Sequence, residues 1–69
     1  MKKKLNNLKK IRISKGLSQF DLAKLANVTP SDISRLENNK IFAYPGWRKR
    51  LAIALKVEEK DIWPKIKKG

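Results

Sequence analysis

The chain has no cysteine and no histidine. Without thiols it can form neither disulfides nor thiolate metal sites, and without either residue it lacks the usual general base, nucleophile and transition-metal ligands. Its three glycines, Gly16, Gly46 and Gly69, are too scattered to build a phosphate-cradling loop. No apolar run approaches the roughly 20 residues that cross a bilayer. Asn6, Asn7, Lys9 and Lys10 also break up the stretch behind Met1-Lys2-Lys3-Lys4, which otherwise starts like a signal peptide. Acidic residues are scarce, six in all, and each has a local use. Asp21 and Asp32 fit capping boxes, Glu58, Glu59 and Asp61 fit a helix N-terminus, and Glu37 has a partner in Arg12. No carboxylate is left over for an acid/base couple. These absences predict a binding module rather than an enzyme, with no cofactor and no metal, soluble and cytoplasmic.

What the chain does have is positive charge. Eighteen Lys and Arg give a formal net charge of +12 over 69 residues, a balance that calls for a polyanionic partner. Nucleic acid is the first candidate. A membrane surface would instead require a helix with basic and apolar faces and little globular organisation, which the ordered caps and turns below argue against. The length fits a single domain over 1–69 that buries only about 60% of its unfolded surface, with a basic N-terminal arm at 1–4 and a basic tail at 65–69. A metabolite pocket of about 300 Å³ would be hard to fit into such a core.

The pattern is all-α, since no alternation of period two is sustained. Helix 1 is predicted from about Leu5 to Lys15, with Leu5, Leu8, Ile11 and Arg12 on one stripe and Gly16 as its terminating glycine. Ser18-Gln19-Phe20-Asp21 and Thr29-Pro30-Ser31-Asp32 are both of the S/T-x-x-acid form. In each the hydroxyl accepts from a first-turn N–H and the acid reaches back toward the cap. Pro30 adds a proline at the first helical position. Helix 2 must then end within Ala26 to Val28, where Asn27 is the residue that tolerates a left-handed backbone. Two helices with almost no loop between them, carrying Leu22, Ala23, Ala26, Val28, Ile33 and Leu36 at helical spacing, read as a helix-turn-helix. An ordinary helical hairpin has no need of so sharp a turn. Helix 4 is expected from about Trp47 to Lys56 after an irregular Ile41 to Gly46. A short helix 5 follows, with Ile62 and Trp63 on its buried face and Pro64 limiting its length. Arg12 on the stripe of helix 1 and Glu37, within about 40° of Ile33 on helix 3, are two charges on the core side. They predict a structural ion pair.

At about 100° per residue, Ser31 and Arg35 fall about 160° and 200° from Ile33, and Asn38 about 140°. That ridge points away from the core. A recognition helix in the major groove uses such a face near its N-terminus, so Thr29, Pro30, Ser31, Ser34 and Arg35 are the candidate base readers. Arg35 can donate twice to guanine, while Thr29 and Pro30 serve equally well as helix cap and first helical residue. Gln19 opens helix 2, where backbone N–H groups can hold a phosphate that its amide could brace. Asn38, Asn39 and Lys40 past helix 3, with Arg48 and Lys49 near the start of helix 4, are the other candidate phosphate contacts. Lys2, Lys3, Lys4 and the C-terminal lysines are expected to add diffuse attraction, and Tyr44 and Trp47 to anchor core or loop rather than stack on bases.

Several stretches taken together resemble the Cro/phage-repressor type of helix-turn-helix regulator, also called the xenobiotic-response-element type. They are Arg12, Gly16-Leu17-Ser18-Gln19, Leu22-Ala23, Val28-Thr29, Ile33-Ser34-Arg35-Leu36-Glu37-Asn38 and Leu51-Ala52-Ile53-Ala54-Leu55-Lys56-Val57. The resemblance covers about residues 5 to 63. It implies a five-helix repressor-like DNA-binding domain, a homodimer on a two-fold double-stranded operator, Gln19 at a phosphate, residues 29 to 35 at base edges, and an Arg12–Glu37 salt bridge. The chain departs from the family in two ways: Asn27 and Asn39 stand where glycine is common, and Tyr44-Pro45-Gly46-Trp47 replaces the usual loop into helix 4. The apolar residues available for a dimer are Phe20, Leu25, Phe42, Ile62, Trp63 and Ile66, of which Ile62, Trp63 and Ile66 are preferred. The reading is a prokaryotic or phage transcriptional regulator, a repressor in its simplest form, associated with the nucleoid through its DNA. The alternatives are an antitoxin, which would add a toxin as protein partner, and a non-specific basic nucleic-acid-binding protein.

Overall fold

In a computed structural model, which describes residues 6–64, five helices follow one another: α1 Leu8–Ser14, α2 Gln19–Ala26, α3 Pro30–Glu37, α4 Pro45–Leu55 and α5 Glu59–Ile62. Among the described residues there is no strand. The all-α, five-helix expectation stands, and the differences lie at two helix starts. Helix α1 begins at Leu8 rather than Leu5 because Asn6 Oδ1 accepts the Leu8 N–H at 2.9 Å, which closes a capping turn ahead of the first apolar residue. Leu5, at the predicted start, lies outside the described residues. Helix α4 begins two residues before Trp47, at Pro45, since an extended Tyr44 serves as its cap and proline suits the first helical position.

The core joins Leu8 of α1, Leu22, Ala23 and Ala26 of α2, Ile33 and Leu36 of α3, Leu51, Ala52 and Leu55 of α4, and Ile62 and Trp63 at the chain's far end. Small Ala23 and Ala26 let α3 and α4 pack close against α2, the element in contact with both. The burial of Ile62 and Trp63, at 0% and 6% exposure, corrects their assignment to a dimer surface. In so small a domain they are needed to close the monomer core. Ile66, the third of that group, lies outside the described residues.

Four helices end in the same way. Gly16, Asn27, Asn39 and Lys56 have left-handed backbone, with φ of 73°, 57°, 57° and 59°. In each case the next residue donates its N–H five residues back: Leu17 to Arg12 O, Val28 to Ala23 O, Lys40 to Arg35 O and Val57 to Ala52 O, at 2.8 to 3.1 Å. This closure satisfies carbonyls that a helix end leaves orphaned, and it is commonly locked by an apolar side chain just beyond the turn. Leu17, Val28 and Val57 provide that lock by packing on the core. The end of α3 has Lys40 there instead, exposed.

Candidate nucleic-acid interface

The turn between α2 and α3 is built by its caps. Ser18 Oγ accepts from Asp21 N–H at 3.0 Å, and Asp21 Oδ2 accepts from Ser18 N–H at 2.9 Å. The Ser18 backbone N–H, then the Ser18 side chain, holds the Asp21 carboxyl below the usual aspartate range, with the charge of Lys24 helping slightly. At α3 only half of the predicted box forms. Thr29 Oγ1 accepts from Asp32 N–H at 3.1 Å, but the Asp32 carboxylate turns along the helix toward Arg35, with Oδ1 3.5 Å from Nη1. The attraction of a cation one turn on replaces the second capping bond.

Behind the turn lies the predicted ion pair, in a larger network than the sequence indicated. Arg12 Nε donates to Glu37 Oε2 at 2.5 Å, and its Nη1 donates to Leu17 O at 2.7 Å. Glu37 Oε1 also accepts from Gln19 Nε2 at 3.0 Å. The two charged side chains are 9% and 2% exposed. A single buried carboxylate thus ties together the C-terminus of α3, the body of α1 and the first residue of α2, which fixes the angle at which α3 leaves the molecule. The Gln19 amide, a candidate phosphate contact, is engaged here with Glu37, while its backbone stays at the N-terminus of α2.

The outer face of α3 is open. Ile33 and Leu36 are buried on the inner side, whereas Ser31, Arg35 and Asn38 are exposed and Pro30 and Ser34 are half-buried beside them. Thr29 is exposed while its hydroxyl caps the helix. Arg35 keeps 58% of its side chain accessible despite Asp32. Asn38 Nδ2 folds back onto Ser34 O at 2.9 Å. Asn39 and Lys40 follow it, exposed, at the end of the same ridge, and Lys49 is exposed on α4.

Arg48 differs from the other candidates. Its Nη1 donates to Ala43 O at 2.6 Å and its Nε to Glu59 Oε1 at 3.3 Å. It holds the α3–α4 loop against α5 from within. Tyr44 and Trp47 stack edge to face at 5.7 Å, and Phe42 meets Tyr44 in the same way at 5.0 Å, so the three rings pack on one another along the loop into α4. Phe20 and Leu25, two of the apolar residues considered for a dimer, are exposed but lie about 140° apart around α2. They do not form one patch.

Sequence reasoning missed two polar residues here. Asn6, 7% exposed, donates Nδ2 to Leu36 O at 2.9 Å and to Asn39 Oδ1 at 2.8 Å. An asparagine just before the first periodic apolar residue is a capping signal that could have revealed half of this role. Arg50 Nη1 donates to Asn27 O at 3.1 Å, pinning α4 to the turn, and no local signal marks it. Among the described residues no group of carboxylates could hold a metal ion, and no helix is long and apolar enough to cross a membrane.

The fold is similar to that of known proteins. A helix-turn-helix family model matches residues 8–41. The structure is similar to that of the restriction-modification controller protein C.AhdI from Aeromonas hydrophila, with 31% identity, a TM-score of 0.77, and 80% of this chain and 83% of that one covered. It is also similar to the clp gene regulator ClgR from C. glutamicum, at 26% identity and a TM-score of 0.74 over 78% and 70% of the two chains. The hypothetical transcription factor NHTF from Neisseria, at 24% identity and a TM-score of 0.76 over 86% and 68%, shares the fold. No curated protein matches the sequence.

Proposed function

The chain belongs to the Cro/C1-type helix-turn-helix family of DNA-binding transcriptional regulators, and we propose that within it this protein is a sequence-specific repressor acting as a homodimer on a two-fold operator. The observation that carries the reading is the division of α3 into a buried side, Ile33 and Leu36, and an accessible side bearing Ser31 and Arg35. Placed in the major groove, that side presents Thr29, Pro30, Ser31, Ser34 and Arg35 to base edges. Arg35 is the principal reader, and turning from Asp32 to a guanine exchanges a long, exposed ion pair for a bidentate contact. The N-terminus of α2 at Gln19, with Asn38, Asn39, Lys40 and Lys49, holds the sugar-phosphate backbone and contributes register rather than sequence information. Arg48 is assigned to the loop instead of the phosphate set, because its guanidinium already has two internal acceptors.

A dimer places two copies of α3 about 34 Å apart, one turn of B-DNA, and occluding a promoter is the simplest consequence. Selection from a randomised duplex library tests this reading. A site with two half-sites one turn apart is expected, and Arg35→Ala is expected to lose about 1–3 kcal/mol of discrimination at one base position per half-site. Equal losses on the selected site and on random duplex would remove Arg35 from the readers. Indifference of the protein to every duplex would overturn the function.

A further inference from the structure

Among the described residues, the end of α3 is the one left-handed helix closure whose following residue is charged, and it is also where the buried Asn6 amide docks. We propose that Asn6 is a positioning residue for DNA-backbone binding, which orients the Asn39 carboxamide so that its NH2 group donates to a phosphate beside Lys40. The inference rests on the DNA-binding reading above and deepens it.

The hydrogen-bond network fixes which way both amides point. Asn6 Oδ1 takes the Leu8 N–H, so its Nδ2 must face the other way, where Leu36 O accepts one of its hydrogens. The second hydrogen meets Asn39 at 2.8 Å. A donor can be met only by an acceptor, so Asn39 must present Oδ1 inward and its NH2 outward. Among the described residues no acceptor takes that NH2 group, and Asn39 is exposed. Glycine would satisfy the φ of 57° at this position equally well. Asparagine adds an outward donor pair held by a buried partner. At the other three closures Leu17, Val28 and Val57 lock the turn by packing on the core. Here the Asn6 bonds to Leu36 O and Asn39 Oδ1 supply the lock, which leaves position 40 free for a cation on the exposed ridge.

Three variants separate this role from simple stabilisation. Asn39→Gly keeps the left-handed backbone and removes the donor. Asn6→Ser keeps an oxygen to cap α1 and removes both donated bonds. Affinities of these variants and of the double variant are measured on a duplex recovered by selection and on a scrambled duplex of the same length. The measurements are made at a temperature where circular dichroism shows every protein folded.

Each single variant is expected to lose about tenfold per protomer on both duplexes, the size of a hydrogen bond to a charged group, and so about a hundredfold for the dimer. The double variant should be no weaker than the weaker single. The dependence of affinity on salt should keep its slope, because no cation is removed, whereas Lys40→Met should reduce it by about 0.9 per protomer, about 1.8 for the dimer. If Asn6→Ser lowers the melting temperature but binds both duplexes as the unaltered protein does, Asn6 is purely structural and the inference falls. Losses that simply add in the double variant, or that differ between the two duplexes, also overturn it. Should the unaltered protein bind neither duplex, the DNA-binding reading itself fails.

Discussion

At Arg12 and Glu37 the effect of a substitution depends on what it leaves behind. Two charges at 9% and 2% exposure have lost most of their hydration, and their attraction roughly offsets that loss only while both are present. Glu37→Ala strands the Arg12 guanidinium and the Gln19 amide, and is expected to cost about 3–5 kcal/mol. Arg12→Met combined with Glu37→Leu replaces the pair with apolar volume and should cost less than either single alanine. Denaturant melts of the four proteins measure this. Strictly additive losses would show that the two side chains do not act as a pair. The pair was readable from the helical wheel, because each charge fell on its helix's apolar stripe. The Gln19 bond was not, because a glutamine at a helix start has an equally good use outside the protein. Arg48 escaped for a related reason: its acceptors, Ala43 O and Glu59, are brought to it by the loop and by α5, and no local spacing encodes that approach.

The helices themselves were legible wherever their ends are written in residues of marked preference. Ser18 and Thr29 cap α2 and α3, and Gly16 and Asn27 take the left-handed turns expected of them. The start of α1 was misplaced because Asn6 and Asn7 look like a polar interruption until Asn6 is seen to receive the Leu8 N–H. Pro45 was read as part of an irregular segment, although a proline opens a helix as readily as it interrupts one. Lys56 gave no signal at all, since lysine has no preference for φ of 59°. That strain leads to a prediction for α4. A side chain in left-handed backbone costs about 1–2 kcal/mol, so Lys56→Gly is expected to stabilise the protein by about 1 kcal/mol, net of glycine's greater freedom when unfolded. The urea midpoint should rise with an unchanged slope. A fall would mean that the Lys56 side chain contributes more than its backbone costs.

For the whole molecule, the net charge of +12 pointed to a polyanionic partner before any helix was placed. The interface between copies was not legible in the same way. Ile62 and Trp63 are apolar residues near the end of the chain, a description that fits a core and a dimer contact equally. Only the packing of α5 against α4, which buries both residues in the common core, decides for the core. Among the described residues, the apolar side chains still open to solvent are Ile13, Phe20, Leu25, Phe42, Tyr44 and Ile53, and these are available to the dimer proposed above.

Asn7 joins the beginning of the described fold to its end: its N–H bonds to Ile62 O at 2.8 Å and its Nδ2 to Asp61 O at 3.0 Å. The described chain therefore enters α1 and leaves α5 at one corner of the molecule. Rewiring the backbone should be tolerated on the same ground. A circular permutant that bridges this corner with a short glycine-serine linker and opens between Ala43 and Tyr44 is expected to give an unchanged helical circular-dichroism spectrum. Its melting should remain a single cooperative transition.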